Sequence, residues 1–526
     1  MKITFMFPVL LVWVQVALAD ANLPAIRFEQ SGSSPSIAEQ PAAFVLANEP
    51  EGGKANLVVE FDLAAQTVTP LARLHLDNVL KLQVKRPGQK NTGERGILHV
   101  FAPGLAEPVG VLPVKAGGLT NAYMIDVTAI VNAALAQPAG RRKLQLEVRL
   151  EGKPLYYEVY AAPKNFPPTL EIVTATNWSD DWPACVAPIT RGPQIYREPC
   201  LPLTDNRDKE VVLPLLYPAK KINAVVANAT GAKLEEGRDW LLRDGKLVLP
   251  CGTRAPVQLE AEFFLAPHKE KNGTTNMIHT AVRLMEGTWY HERQLAVTYE
   301  PAARDWSFPP PRATLDQLPR LKQKLAAKEP LTLLLFGDSI SAGGNASKFQ
   351  NAWPWQPSYG ELVARALGAR WGSRVNYLNH SRAGATSGYG LAQADEQAAW
   401  FKPDLAIIAY GMNDRGDTRR GVYRENLEKI LATIRARSPA TEFIVVAPML
   451  NNPKQPTGLD PVLFIRDEAL KLAGPGIATV DVTSMHLEII KRKPYLDLSG
   501  NGANHPNDFL HRLYAQRILE ILTPPP

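Results

Sequence analysis

Ser339, Gly384, Asn413 and His505 are residues whose types together suit acyl transfer, and each lies in a loop built of small residues. The run Leu331-Thr-Leu-Leu-Leu-Phe336 reads as a buried strand and passes directly into Gly337-Asp338-Ser339-Ile340-Ser341. A tight turn at the carboxyl end of such a strand holds a hydroxyl above the sheet edge, where α/β folds place their chemistry. A lone Gly-Asp-Ser is more commonly a turn whose serine bonds its own backbone, so the nucleophile reading depends on its company. Attack by serine on an acyl carbon needs a base within reach of Oγ and donors aimed at the developing oxyanion. The Asn379–Ser387 loop offers a backbone N–H at Gly384 with no side chain in the way. The stretch Tyr410-Gly-Met-Asn413-Asp414 offers a side-chain amide, and Asn504-His505-Pro506-Asn507-Asp508 an imidazole able to relay a proton.

The elements that must position these loops alternate strictly. A helical pattern over 315–328 leads to the Leu331–Phe336 strand, and helix 359–367 leads to strand 375–378. Helix 391–401 precedes strand 405–409, helix 422–437 precedes 443–447, helix 462–472 precedes 478–482, and a last helix spans 509–522. Strand and helix in alternation imply a parallel sheet covered on both faces. Ser339, Gly384 and Asn413 then follow three of its strands, and His505 lies just before the last helix. His380 and His511 compete with His505 as the base; His380 reads as structural and His511 as a residue of the last helix.

Ahead of this domain the rhythm is that of β structure. Leu57, Val59, Phe61 and Leu63 alternate with polar neighbours, as do Leu144, Leu146, Val148 and Leu150, which indicates an antiparallel sandwich. A second β-rich region, with strand candidates at 210–213, 224–226, 246–249, 257–264 and 294–299, runs to the stiff Pro309-Pro310-Pro311 break. Its Trp178, Trp182, Trp289 and Tyr290 suit sugar stacking and, more commonly, packing. The expected organisation is a leader over 1–19, a β-sandwich over 20–175, a second β-rich domain over 176–310 and the α/β domain over 311–526, which agrees with about three domains for 526 residues.

Lys2, an apolar run over 3–16 and Ala17-Leu18-Ala19 ahead of Asp20 form a signal-peptide pattern, so a secreted or periplasmic protein cut near Ala19 is expected. No later run is long enough to span a membrane. The net charge of +6 is spread, with only isolated clusters such as Arg141-Arg142-Lys143, and does not suggest a nucleic-acid partner. Of the three cysteines, Cys185 and Cys200 are spaced to close a loop worth about 3 kcal/mol, and Cys251 is left over. No cysteine lies near a histidine at a zinc spacing, and the chemistry requires no metal or other cofactor.

The four blocks taken in order resemble the SGNH/GDSL hydrolase superfamily over roughly residues 312–526. The resemblance implies a flavodoxin-like α/β domain with Ser339 as nucleophile and His505 as general base and acid. It implies an oxyanion hole made by the Ser339 and Gly384 N–H groups and the Asn413 side chain. The family sets an aspartate three residues before the histidine, and here that position is Gly502. Asp497, Asp508 or a backbone carbonyl are the candidates to orient His505 instead. The 20–175 segment resembles the jelly-roll modules of secreted polysaccharide-active proteins, and the whole chain resembles modular carbohydrate O-acetylesterases. Acetyl removal from a polysaccharide or oligosaccharide is therefore expected, with Trp353 and Trp355 as a candidate sugar platform. A lipase-like or aryl esterase is the alternative within the class, although the Gly343–Gln350 segment reads as small and polar; an acyl transferase and a glycan-binding protein with a decayed hydrolase domain are the others.

Overall fold

The computed structural model describes residues 122–152, 182–264, 277–279, 282–311, 313–350 and 352–522, and the short stretches 21–24, 27–31, 43–49, 53–64, 71–75, 95–102, 105, 108, 110–115, 155–160 and 169–173. The leader with its cleavage site, and Trp178, lie outside the described residues.

Five apolar runs form a parallel sheet in the spatial order Val375–Asn379, Leu331–Gly337, Leu405–Ala409, Glu442–Ala447, Ile477–Asp481. The first of these strands in sequence lies second in space, so the winding direction reverses there and a crevice opens beyond the carboxyl ends on either side of it. Leu333, Leu335 and Ile407 face one hydrophobic core and Leu334, Phe336 and Ile408 the other, the period-two division of a strand buried on both faces. Helices Tyr359–Trp371 and Asp508–Leu522 supply Leu362, Val363, Leu510 and Leu513 to the first core. Helix Tyr423–Arg437 supplies Leu427, Ile430 and Ile434 to the second. Among the described residues no helix is long and apolar enough to cross a membrane.

The parallel sheet continues past Val375–Asn379. Strand Ala122–Asp126 pairs with it antiparallel, Tyr377 opposite Met124, and Leu71–His75, Thr169–Val173 and Ala21–Pro24 follow to make nine strands. A second antiparallel sheet has Lys143–Gly152 between Gly53–Asp62 and Arg95–Phe101. Val59, Phe61, Leu144, Leu146 and Val148 share a core with Leu334, Phe336 and Leu378, so the early strands extend the α/β sheet and bury its face. Between residues 195 and 301 a four-stranded sheet carries Ile195–Cys200, Leu295–Pro301, Ala219–Ala227 and Ala232–Leu234, and a three-stranded sheet carries Val211–Leu213, Lys246–Leu249 and Leu241–Arg243. Ile195, Val225 and Val297 join the same core as Leu333 and Leu362.

Several local expectations change. Thr128–Leu135 is a helix within the segment expected to be β-sandwich, and Glu260–Phe263 is a helical turn inside the expected 257–264 strand. The helix expected over 315–328 is a tight turn, Leu315–Gln317, followed by helix Pro319–Ala326 with proline in its first turn, where a missing N–H costs nothing. The helix expected over 391–401 starts earlier, at Ser387, because the Thr386 side chain accepts from the Tyr389 N–H at 3.2 Å and caps it. Cys185 and Cys200 are both buried as thiols and do not form the expected disulfide. Trp289 is packed between the guanidinium groups of Arg283 and Arg293, 4.4 and 4.1 Å from its ring, rather than presented for stacking.

The buried rings of His380, His486 and His511 are kept neutral by their surroundings. Burial lowers His380 and His511 to about 4 and His486 to about 3. Their folded values lie below the unfolded 6.5, so the unfolded chain binds more protons, and the stability present above about pH 6.5 is lost as pH falls toward 4. Each contributes on the order of 3 kcal/mol to that loss. A calorimetric pH series is expected to show Tm falling steadily below pH 6.5, and a smaller fall in His380→Gln; parallel curves would contradict the buried neutral ring.

Candidate active site

Gly337 ends the central strand because a Cβ there would overlap Ser341 and the Ala409 carbonyl. Asp338 then caps the short Ser339–Ala342 helix, its carboxylate accepting from the Ile340 N–H at 3.0 Å. Burial pushes the Asp338 carboxyl up to about 7, against the opposing pull of the Ile340 N–H, the His505 charge and the Met412 N–H. The Asp338 N–H donates to the Ala409 carbonyl at 3.4 Å, which ties the Ser339 turn to the end of the strand that leads to Asn413. Gly344 follows because a Cβ would lie 2.8 Å from the Ser339 carbonyl, while its N–H donates to that carbonyl at 2.8 Å. The result is a Ser339 side chain at the crevice floor, 7 % exposed.

Ser339 Oγ lies 2.8 Å from His505 Nε2. On the other side of the ring, His505 Nδ1 lies 2.7 Å from Asn345 Oδ1. The orientation of the Asn345 amide follows from its other end: Nδ2 donates to the Gly287 and Gly500 carbonyls, each at 3.0 Å, so the oxygen must face the ring. An amide oxygen can only accept. His505 therefore carries its proton on Nδ1 and leaves Nε2 as the acceptor for the serine hydroxyl, the tautomer a general base requires. Asn345 holds this position with φ at +62°, a conformation asparagine tolerates. Glu286 Oε2 lies 3.5 Å from the same Nδ1.

The His505 loop is pinned from within by Asn501. Its Oδ1 accepts the N–H groups of Ala503, Asn504 and His505, each at 3.0 Å, and its Nδ2 donates to Glu286 Oε1 at 3.0 Å. Partial burial acts to raise the Glu286 carboxyl, and the neighbouring His505 ring together with the Asn501 amide outweighs it and sets it below the ordinary glutamate value.

Asp497, the carboxylate expected to reach back to His505, is occupied elsewhere. Its Oδ1 accepts from the Leu201 N–H at 2.8 Å and its Oδ2 lies 3.2 Å from Lys493 Nζ, in a buried cluster with Glu198 and Cys200. Burial raises the Asp497 carboxyl and pushes the Cys200 thiol up to about 12. Asp508 accepts from the Ser347 N–H at the start of the last helix. The amide of Asn345, not a backbone carbonyl, meets Nδ1. His380 Nδ1 is bonded to the Gln397 carbonyl and His511 Nε2 to that of Gly344, both away from the serine.

The Gly384 and Asn413 loops leave the two strands that flank Leu331–Gly337 and are joined: Asn413 Nδ2 donates to the Ala385 carbonyl at 2.9 Å. Asp414 accepts from both the N–H and the hydroxyl of Ser387, fixing the start of the next helix against the same loop. The Arg382 N–H donates to the Gly337 carbonyl at 3.0 Å, which anchors the Gly384 loop to the strand that leads into Ser339. Gly384 has φ at +73° with open space around it, so its backbone conformation rather than crowding favours glycine.

Of the two tryptophans, Trp353 packs inward. Arg197 lies 4.4 Å over its ring, a Cβ on Gly231 would touch it at 3.0 Å, and its carbonyl meets His291 Nε2 at 2.6 Å, so it joins the domains rather than facing a sugar. Trp355 remains 41 % exposed. The segment after the nucleophile, read as small and polar, presents Phe349 at 61 % exposure beside Gly343. Among the described residues no cluster of three or more His, Cys, Asp or Glu is placed to hold a metal.

Solved structures similar to parts of this chain include a two-domain esterase (CEX) active on acetylated mannans, at 22 % identity and TM-score 0.34, covering 40 % of this chain and 53 % of that one. Others are Axe2, an acetylxylan esterase from Geobacillus stearothermophilus, at 21 % identity and TM-score 0.30, covering 37 % of this chain and 95 % of that one, and the lipase/acylhydrolase from Enterococcus faecalis, at 21 % identity and TM-score 0.30, covering 37 % and 98 %. The chain thus spans about half the length of the mannan-active esterase. No curated protein matches the sequence. Residues 335–513, which hold Ser339, Gly384, Asn413 and His505, match the GDSL-like lipase/acylhydrolase family.

Proposed function

We propose that the protein is an exported serine esterase that removes acetyl groups from a polysaccharide or oligosaccharide through an acyl-enzyme on Ser339. The observation that carries this reading is the 2.8 Å contact between Ser339 Oγ and a His505 Nε2 whose tautomer is set from the far side of the ring. Ser339 Oγ attacks the acetyl carbonyl while its proton passes to Nε2. The tetrahedral intermediate expels the sugar oxygen, which takes that proton, and acetate remains esterified to Ser339. Water then attacks, giving its proton to Nε2, and acetate leaves as Oγ recovers the proton. The Ser339 and Gly384 N–H groups and the Asn413 amide serve as oxyanion donors. The bond from Asn413 Nδ2 to Ala385 leaves its second N–H without a protein acceptor among the described residues.

The acetylated glycan is supported by the resemblance to modular carbohydrate O-acetylesterases, by the leader at 1–19, and by exposed Phe349 and Trp355 as aromatic faces for sugar rings. The antiparallel sheet that includes Gly53–Asp62, Arg95–Phe101 and Lys143–Gly152, packed on the α/β sheet, suits an accessory module, and nothing in the chemistry calls for a cofactor.

With p-nitrophenyl acetate, wild type is expected to release acetate and Ser339→Ala to release none above background; equal rates would remove the esterase reading. Asn413→Ala is expected to lose about 2.7–4 kcal/mol of transition-state stabilisation, read as a fall in kcat at nearly constant KM. On an acetylated oligosaccharide, Phe349→Ala is expected to raise KM by about two- to tenfold while leaving p-nitrophenyl acetate turnover near wild type. An unchanged KM would remove Phe349 from the sugar site.

A further inference from the structure

The position where the superfamily carries its aspartate is closed in this protein. Gly502 has φ at +80°, and a Cβ there would overlap the Arg283 carbonyl oxygen and the Tyr290 hydroxyl. Those two atoms are bonded to each other at 2.6 Å and belong to the β-rich region, not to the hydrolase domain. The same segment is stitched to the His505 loop by the Met285 N–H, which donates to the Asn501 carbonyl at 3.0 Å, and to Asn345 by the Gly287 carbonyl, which accepts from its amide. Between these anchors stands Glu286, with one carboxylate oxygen on Asn501 and the other 3.5 Å from His505 Nδ1.

From this we propose that Glu286, supplied by the β-rich region that precedes the hydrolase domain, is the positioning carboxylate of His505 and acts jointly with the Asn345 amide. The inference rests on the Ser339–His505 reading above. Labour is divided between the two groups. Asn345 makes the short bond that fixes the tautomer, but an amide dipole stabilises an imidazolium less than a full negative charge does. Glu286, too far for a strong hydrogen bond, contributes charge at close range. Its side chain is 49 % exposed, so solvent screens it and its effect is smaller than that of a buried triad aspartate. The other titratable groups near the ring among the described residues are Asp338 and His511. The hydrolase domain is therefore catalytically incomplete without the β-rich segment docked on it.

The test uses the full chain and a fluorophosphonate that labels an activated serine, so no knowledge of the natural ester is needed. Wild type, Ser339→Ala, Glu286→Gln, Glu286→Asp and Gly502→Asp are compared by rate of labelling and of p-nitrophenyl acetate turnover from acid to neutral pH, with Tm as the control for folding. Glu286→Gln is expected to keep Tm and KM, lose about ten- to a hundredfold in kcat and labelling rate, and move the acid limb of the profile down by about one pH unit. Glu286→Asp recovers part of the loss. Gly502→Asp, which returns the superfamily's residue to a space already filled, is expected to lower Tm and activity together. A wild type that labels at Ser339 beside a Glu286→Gln profile that superimposes on it overturns the assignment of Glu286 alone. A wild type that does not label at Ser339 overturns the hydrolase reading and this assignment with it.

Discussion

The short contact between His505 Nδ1 and Asn345 Oδ1 is the constraint on which the rest of the site depends. A serine hydroxyl is a poor nucleophile until its proton has somewhere to go, and the imidazole can take it only through a nitrogen that is not already protonated. Asn345 makes that choice by offering an acceptor to the other nitrogen. It is free to do so because both protons of its own amide are committed to the Gly287 and Gly500 carbonyls. Gly500 in turn must be glycine, since a Cβ there would run into Asn345. The amide, the glycine and the ring form one interlocked unit.

That unit is also where the parts of the chain meet. The central sheet brings Ser339 and the Gly384 and Asn413 loops to one edge, which is the ordinary geometry of a parallel α/β fold. The histidine loop is different, because its shape is dictated as much by the preceding β-rich region as by the domain that contains it. The Arg283 carbonyl, the Met285 N–H and the Tyr290 ring abut residues 501 and 502, and the Gly287 carbonyl holds the Asn345 amide. Cores that run continuously from Ile195 and Val297 into Leu333 and Leu362 keep that segment in place. Buried contacts such as Lys493 between Glu198 and Asp497 cross the same boundary, which accounts for Asp497 being engaged away from His505.

What the sequence revealed and what it concealed divide along physical lines. Alternating helices and uninterrupted apolar strands are local signals, and the order of Ser339, Gly384, Asn413 and His505 follows from them. The start of helix Ser387–Gln397 was harder to read because Gly388 and Gly390 weaken helical rhythm; Gly390 is required by the Tyr410 ring packed against it. Asn345 carried a faint signal as an asparagine after two glycines, suited to its positive φ. Glu286 carried none: it meets Asn501 across 215 residues, and only the packing of one domain on another brings the two together. Gly502 was legible as a departure, but its cause, a space filled from outside the domain, was not.

The central claim, that Ser339 is acylated with His505 as its base, is tested most directly by trapping the intermediate. Wild-type protein mixed with p-nitrophenyl acetate, quenched in acid within a turnover and digested, is examined by mass spectrometry. The account predicts one acetyl group on the Ser339 peptide, appearing with the first burst of p-nitrophenol and lost at the steady-state rate. Release of p-nitrophenol with Ser339 unmodified throughout, or with the acetyl group on another residue, would contradict it.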